Sequence, residues 1–340
     1  MDDRTSSQHE PAPPVPPQPK QPALEEAVTK AFVGPNGIRA GWRLLIFLLI
    51  MGALMAGAGA VAVLLFSKGK QPNVPFTAPA VAISEGILFF CALLASWIMA
   101  KIEGRTLADY GLPVREAFGK NFWQGTLIGF ASITALLVAM RLLRVFYFGA
   151  IALERAEIVK YAALWGLAFL MVAFFEEFFF RGYALFTATT GLTFWPAAIL
   201  SCCAFGYVHH GNPGENWLGA FNAGAVGFLF CLILRRTGSL WMAIGFHAAW
   251  DWGETYFYGV PDSGLVAPGH LFNPSVSGPA WLTGGSVGPE GSWLCLALIA
   301  ILCVIFAACF PEAKYPNPAA IPDPRRRKPE PPLSILAPEP

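Results

Sequence analysis

The run Phe174-Phe175-Glu176-Glu177-Phe178-Phe179-Phe180-Arg181 sets two adjacent carboxylates and a guanidinium inside one of the most apolar parts of the chain. Residues 161–173 upstream carry no charge, and Gly182-Tyr183-Ala184-Leu185-Phe186 follows. A charge near the middle of a membrane helix costs at least a few kcal/mol. These three therefore require partners, a water-filled cavity, or both. Glu177 and Arg181 are four apart, share a helix face and can pair as a structural clamp. Glu176 is then rotated about 100° away, which leaves it as the carboxylate free to act. The plainer alternative is that both glutamates serve an interhelical hydrogen-bond network.

Two further stretches carry groups that could work with Glu176. Phe205-Gly206-Tyr207-Val208-His209-His210 ends one apolar segment, and Phe205 shares a helix face with His209. The two histidines point about 100° apart, so at most one meets a given partner. In Gly245-Phe246-His247-Ala248-Ala249-Trp250-Asp251, His247 and Asp251 are four apart and project from one face. A His–Asp pair that satisfies only itself is the competing explanation. Counted inwards from the segment ends, Glu176, His209, His247 and Asp251 can converge on one pocket. A glutamate and two histidines suit two chemistries. Glu176, His209 and His247 could ligate a divalent metal, zinc above all, that polarises water and a carbonyl. Alternatively a desolvated Glu176 acts as general base on a His-positioned water, with His247 and Asp251 facing the oxyanion. H-E-x-x-H is absent.

The elements that must position these groups are membrane helices. Of the 340 residues, 55% are hydrophobic and 13% charged, half the charge share of a soluble domain. The expected fold is all-α: a polytopic transmembrane helix bundle of about eight spans, at 43–66, 79–101, 122–144, 161–185, 194–210, 217–234, 239–257 and 292–310. Residues 1–40 are Pro-rich and expected to be a disordered cytoplasmic tail. Residues 41–312 form the membrane domain, with its core at 160–257, and 313–340 form a second disordered tail, basic and Pro-rich. Lys20, Lys30, Arg39, Arg43, Lys101, Arg105, Arg115, Lys120, Arg235, Arg236 and Arg325-Arg326-Arg327-Lys328 all fall on one side of an eight-span chain. The positive-inside rule puts that side, and both termini, in the cytoplasm. The opposite loops carry fewer basic residues, Lys68 and Lys70 and a group near 141–160, and loop 258–291 carries none. The polar N-terminus lacks the pattern of a cleavable signal peptide. The seven cysteines sit in apolar runs without metal spacing and read as small buried hydrophobes. A net charge of +1 gives no case for nucleic acid, so the expected partners are the bilayer and a membrane-associated protein or peptide. Glu85 reads as a hydrogen-bonded packing residue.

In series, Glu176-Glu177-x-x-x-Arg181, Phe205-x-x-x-His209 and His247-x-x-x-Asp251 resemble the CAAX-prenyl endopeptidase and bacteriocin-processing (CPBP, or Abi) family of intramembrane proteases. The resemblance covers residues 160–257, and Thr237-Gly238-Ser239-Leu240-Trp241 fits it too. It implies an intramembrane endopeptidase of the CAAX type, here in the bacterial plasma membrane. It implies that Glu176 and His209 activate water. His247 and Asp251 then stabilise the oxyanion or complete a metal site, and Glu177 and Arg181 hold the helix. Asp251 departs from the asparagine of the eukaryotic enzymes. A carboxylate donates to an oxyanion only when protonated, so the change favours a ligand or His-orienting role. Two other classes compete: a non-enzymatic scaffold or immunity-type protein of the same fold, and a proton-coupled carrier. Intact Glu176, His209 and His247 count against the first. The carrier should show matched inverted repeats, and none is visible.

Overall fold

The structure, a computed structural model, describes residues 23–34, 37–66, 76–212 and 214–316. Pro-rich residues 1–22, Lys68, Lys70 and the tail from 317, with its Arg-rich run, lie outside the described residues. The chain divides into two units, residues 1–39 and 40–340. The first contains helix α1 (Ala23–Phe32) and a two-stranded hairpin, β1 (Val33–Gly34) with β2 (Gly37–Ile38), within the stretch expected to be structureless. The Pro-rich run ends at Pro22, and Ala23-Leu24-Glu25-Glu26-Ala27 that follows is rich in helix formers.

The second unit is a helix bundle: α2 (Ala40–Phe66), α3 (Ala78–Glu103), α4 (Lys120–Leu142), α5 (Arg155–Phe178), α6 (Ala184–Leu192), α7 (Phe194–His209), α8 (Trp217–Thr237), α9 (Trp241–Asp251), the single turn α10 (Ala280–Thr283) and α11 (Trp293–Cys309). Local chemistry sets the ends. Gly104 and Gly238 stop α3 and α8 in left-handed conformation. The Asn216 side chain accepts from the Leu218 and Gly219 amides to start α8, and Ser292 caps α11 at the Cys295 amide.

Every apolar segment expected to span contains a helix, but five helices among the described residues are long and apolar enough to cross a membrane by themselves: Ala40–Leu64, Ala78–Glu103, Lys120–Leu142, Arg155–Leu192 and Trp217–Thr237. The expected count of about eight is not confirmed by these helices. α7 has 16 residues and α11 has 17. α9 has 11 before it widens into a π-helical turn, Trp252–Tyr258. A second π turn, Phe179–Tyr183, joins α5 to α6. Both short helices of the core, α7 and α9, end at or beside a motif residue.

Glycines allow the helix contacts that carry α9. A methyl group at Gly125 of α4 would strike the Met242 carbonyl, one at Gly129 the Phe246 carbonyl, and one at Gly245 the Phe122 carbonyl. Backbones approach that closely only where small residues face each other. α7 meets α8 in the same way, Gly206 against the Ala220 carbonyl.

One end of the bundle gathers basic residues. Arg43 Nε donates to Glu103 Oε1 at 2.8 Å, and Arg105 stands 3.6 Å from the same carboxylate. The Leu240 amide bonds the Gly111 carbonyl at 2.7 Å, and the Lys314 amide bonds the Arg235 carbonyl at 2.8 Å. At the other end lies the connection 259–291, which is folded rather than loose. Its strand β4 (Phe272–Val276) pairs antiparallel with β3 (Phe146–Ile151), and the Leu271 amide bonds the Tyr256 carbonyl.

Candidate active site

Glu176 and Glu177 stand near the end of α5, and Arg181 stands on the π turn, where Gly182 leaves helical geometry (φ −82°, ψ −116°). π turns of this kind recur at functional sites. Arg181 Nη1 lies 3.3 Å from Glu177 Oε1, and both side chains are 0% exposed. The guanidinium is boxed by rings, with Phe205 4.1 Å from its carbon, Phe180 at 5.6 Å and Phe230 at 5.8 Å. Gly227 of α8 leaves the space that Arg181 Nη2 fills. The pair expected as a clamp is thus a buried ion pair between three helices.

Glu177 has a second partner that the sequence reading missed. Its Oε1 accepts from His247 Nδ1 at 3.0 Å. Orienting His247 was a role open to Asp251; in the structure Glu177 holds one ring nitrogen while Asp251 Oδ2 lies 3.4 Å from the other, Nε2. The ring also stacks on Phe230 at 5.4 Å. His209 is fixed by a different device. Its Nδ1 donates to the Phe205 carbonyl at 2.8 Å. A carbonyl can only accept, so the neutral ring carries its proton on Nδ1 and turns a lone pair outward at Nε2. Phe205 therefore serves both motifs, its ring against Arg181 and its carbonyl against His209. His210, the adjacent histidine, points elsewhere and stacks on Trp217 at 4.0 Å.

These constraints converge on one atom. Glu176 Oε2 is 4.0 Å from His209 Nε2 and 3.7 Å from His247 Nε2. It is buried and has no hydrogen-bond partner within the protein. The separations exceed a direct hydrogen bond and leave the width of one water or small ion. The site lies on the wall of a cavity of about 390 Å³ with apolar sides that include Phe169, Val172, Val226 and Leu229. Glu85 also lines this cavity rather than only packing between helices.

Sequence reading passed over a second acidic group. Glu254, on the π turn after α9, meets Asp262 and Glu290 from the folded connection, with one carboxylate oxygen of each within 4.8 Å of the others. Burial, then the charge of Glu290, lifts the Asp262 carboxyl to about 8. The available signal was that Asp262 and Glu290 are the only Asp, Glu, Lys or Arg residues in 258–291.

A family model described as type II CAAX prenyl endopeptidase Rce1-like matches residues 158–253, the stretch that holds all three motifs. The search of curated proteins and the search of solved structures returned no match. With its apolar helices this match makes the chain an integral membrane protein, and residues 158–253 are similar to the Rce1-like type II CAAX prenyl endopeptidase family.

Proposed function

We propose that the chain is an intramembrane endopeptidase that hydrolyses a peptide bond in a membrane-associated protein or peptide. The observation that carries this reading is the convergence of His209 Nε2 and His247 Nε2 on the unpartnered Glu176 Oε2 at a cavity wall. Water between Glu176 and His209 donates one hydrogen to the His209 lone pair. Glu176 takes the other proton as the water oxygen attacks the scissile carbonyl carbon. His247, protonated on both ring nitrogens with Nδ1–H held by Glu177, donates its Nε2–H to the oxyanion that develops. Asp251 flanks that nitrogen and keeps the ring edge turned to the cavity. Glu176 then delivers its proton to the leaving amine as the C–N bond breaks, which restores the carboxylate. Glu177 and Arg181 touch no reacting atom and act as positioning residues.

The same donors fit zinc. A catalytic zinc site of the His₂Glu type uses three protein ligands and keeps one position open. Here the ligands would be Glu176, His209 and His247, and the carbonyl and carboxylate behind the two Nδ1 atoms are the partners that ligating histidines usually have. Zinc would supply Lewis acidity to the water and the substrate carbonyl. The setting is the bacterial plasma membrane with the basic end of the bundle in the cytoplasm. The test is hydrolysis of an internally quenched peptide by purified protein in proteoliposomes, with metal content measured on the same preparation. Cleavage by wild type and none by Glu176→Gln supports the reading. Equal cleavage by both would sink it. About one zinc per active chain, lost in His247→Ala, selects the metal route, and full activity without metal selects the glutamate base.

A further inference from the structure

The acidic group at Glu254, Asp262 and Glu290 reaches the same cavity as the proposed catalytic residues but is built from other side chains. It joins the π turn Trp252–Tyr258 and the start of the connection after it to the short turn Pro289–Gly291 before α11, about 30 residues further along. Trp250 Nε1 donates to both Glu254 Oε2 (2.9 Å) and Glu290 Oε1 (3.0 Å), so these two carboxylates face each other. Thr255 Oγ1 donates to Asp262 Oδ2 at 2.9 Å, and Ser263 Oγ to Glu290 Oε2 at 3.0 Å. These neutral donors orient the acids without balancing their charge. Among the described residues no Lys or Arg forms an ion pair with any of the three, and 258–291 contains neither residue type. The independent sign of a missing partner is Glu254 itself. Its side chain is 0% exposed and its Oε1 has no hydrogen-bond partner. A buried carboxylate oxygen left without a donor costs on the order of 1–3 kcal/mol or more.

We propose that Glu254, Asp262 and Glu290 bind a hard divalent cation, calcium in preference to zinc, that pins the connection 259–291 to the end of α9. The donor set is all oxygen, without thiol or imidazole, which selects hard cations. Calcium–oxygen distances of about 2.3–2.6 Å place opposing ligands up to roughly 5 Å apart, a span that covers the 4.8 Å grouping found here. Magnesium, at about 2.1 Å with strict octahedral geometry, needs a tighter set. Asp262, Ser263 and Glu290 also line the catalytic cavity, so the cation would stiffen one rim of the substrate entrance.

The experiment uses full-length protein in detergent, stripped with EGTA. Terbium is added and its sensitised luminescence read, Trp250 being the adjacent donor, and calcium or magnesium is then titrated as competitor. The expected result is a saturable signal at one terbium per chain, displaced by calcium at least tenfold more readily than by magnesium. Calcium at about a hundred times its dissociation constant should raise the melting temperature by roughly 5 °C. Asp262→Asn and Glu290→Gln should each remove the signal, and Glu176→Gln should keep it, which separates this site from the catalytic one. The wild-type titration stands by itself if a variant fails to fold. A melting temperature identical in EGTA and calcium, or a terbium signal lost only in Glu176→Gln, overturns the proposal.

Discussion

At the residue scale, Glu176 and Glu177 are chain neighbours whose surroundings separate them, and the proposed roles follow that difference. Glu177 is sealed against Arg181 and His247, whereas Glu176 is the one on the cavity wall. Glu176→Gln should lower peptide hydrolysis by about 10²–10⁴-fold, the range for loss of a general base, with a melting temperature within a degree or so of wild type. A drop in folded yield as large as the drop in activity would instead make Glu176 structural. The paired histidines give the sharper test. His209→Ala should be inactive, while His210→Ala should retain most activity because its ring lies on Trp217 and not toward Glu176. That these residues could meet was legible from residue type and spacing alone. Which histidine faces the glutamate was not, because neighbours on a helix differ only by a rotation, and that rotation is set by how α7 lies against α8 through Gly206.

At the element scale, the machinery depends on α5 and α9 holding a fixed register. Glu177→Ala leaves the Arg181 guanidinium at 0% exposure without a counter-ion, which costs about 3–5 kcal/mol. Folded yield should fall sharply. The double variant Glu177→Leu with Arg181→Met removes both charges and should recover yield, yet remain slow, because His247 Nδ1 has lost its acceptor. Recovery of both yield and full activity would show that Glu177 is a clamp and nothing more. The seat of α9 is tested separately. Gly129→Leu drives a side chain into the Phe246 carbonyl and displaces the helix that carries His247 and Asp251. It should cost activity and lower the melting temperature together. Hydropathy made the helices themselves legible. The small-residue seam Gly125-x-x-x-Gly129 was present in the sequence as well, but its partner face on α9 is more than a hundred residues away. The shortening of α7 and α9 and the two π turns follow from packing, which composition does not encode.

For the whole molecule, the placement of the cavity relative to the basic end decides from which side a substrate comes. The helices alternate in direction, so the residues that line the cavity fix its depth. They come from the early part of α3 (Val81, Glu85), of α8 (Asn222, Val226) and of α11 (Cys295, Ile299), and from the late part of α9 (His247, Asp251). Each of these half-helices lies away from the end where Arg43, Arg105, Arg235 and Lys314 meet. The basic residues were legible as a topology signal. That the connection 259–291 folds back over the cavity was not, since its pairing of β4 with β3 joins segments about 125 residues apart. If the basic end is cytoplasmic, the catalytic cavity sits in the outer half of the bilayer and its acidic rim faces outward. Substituted-cysteine labelling tests this with Cys203 and Cys309, the exposed thiols, changed to serine. Val266→Cys, 59% exposed on the folded connection, should react in intact cells with a membrane-impermeant maleimide. Val114→Cys, 78% exposed beside the Gly111–Leu240 contact, should react only after permeabilisation. The reverse pattern would turn the protein over and make the cytoplasm the source of its substrate, while the same pattern at both positions would exclude a single orientation.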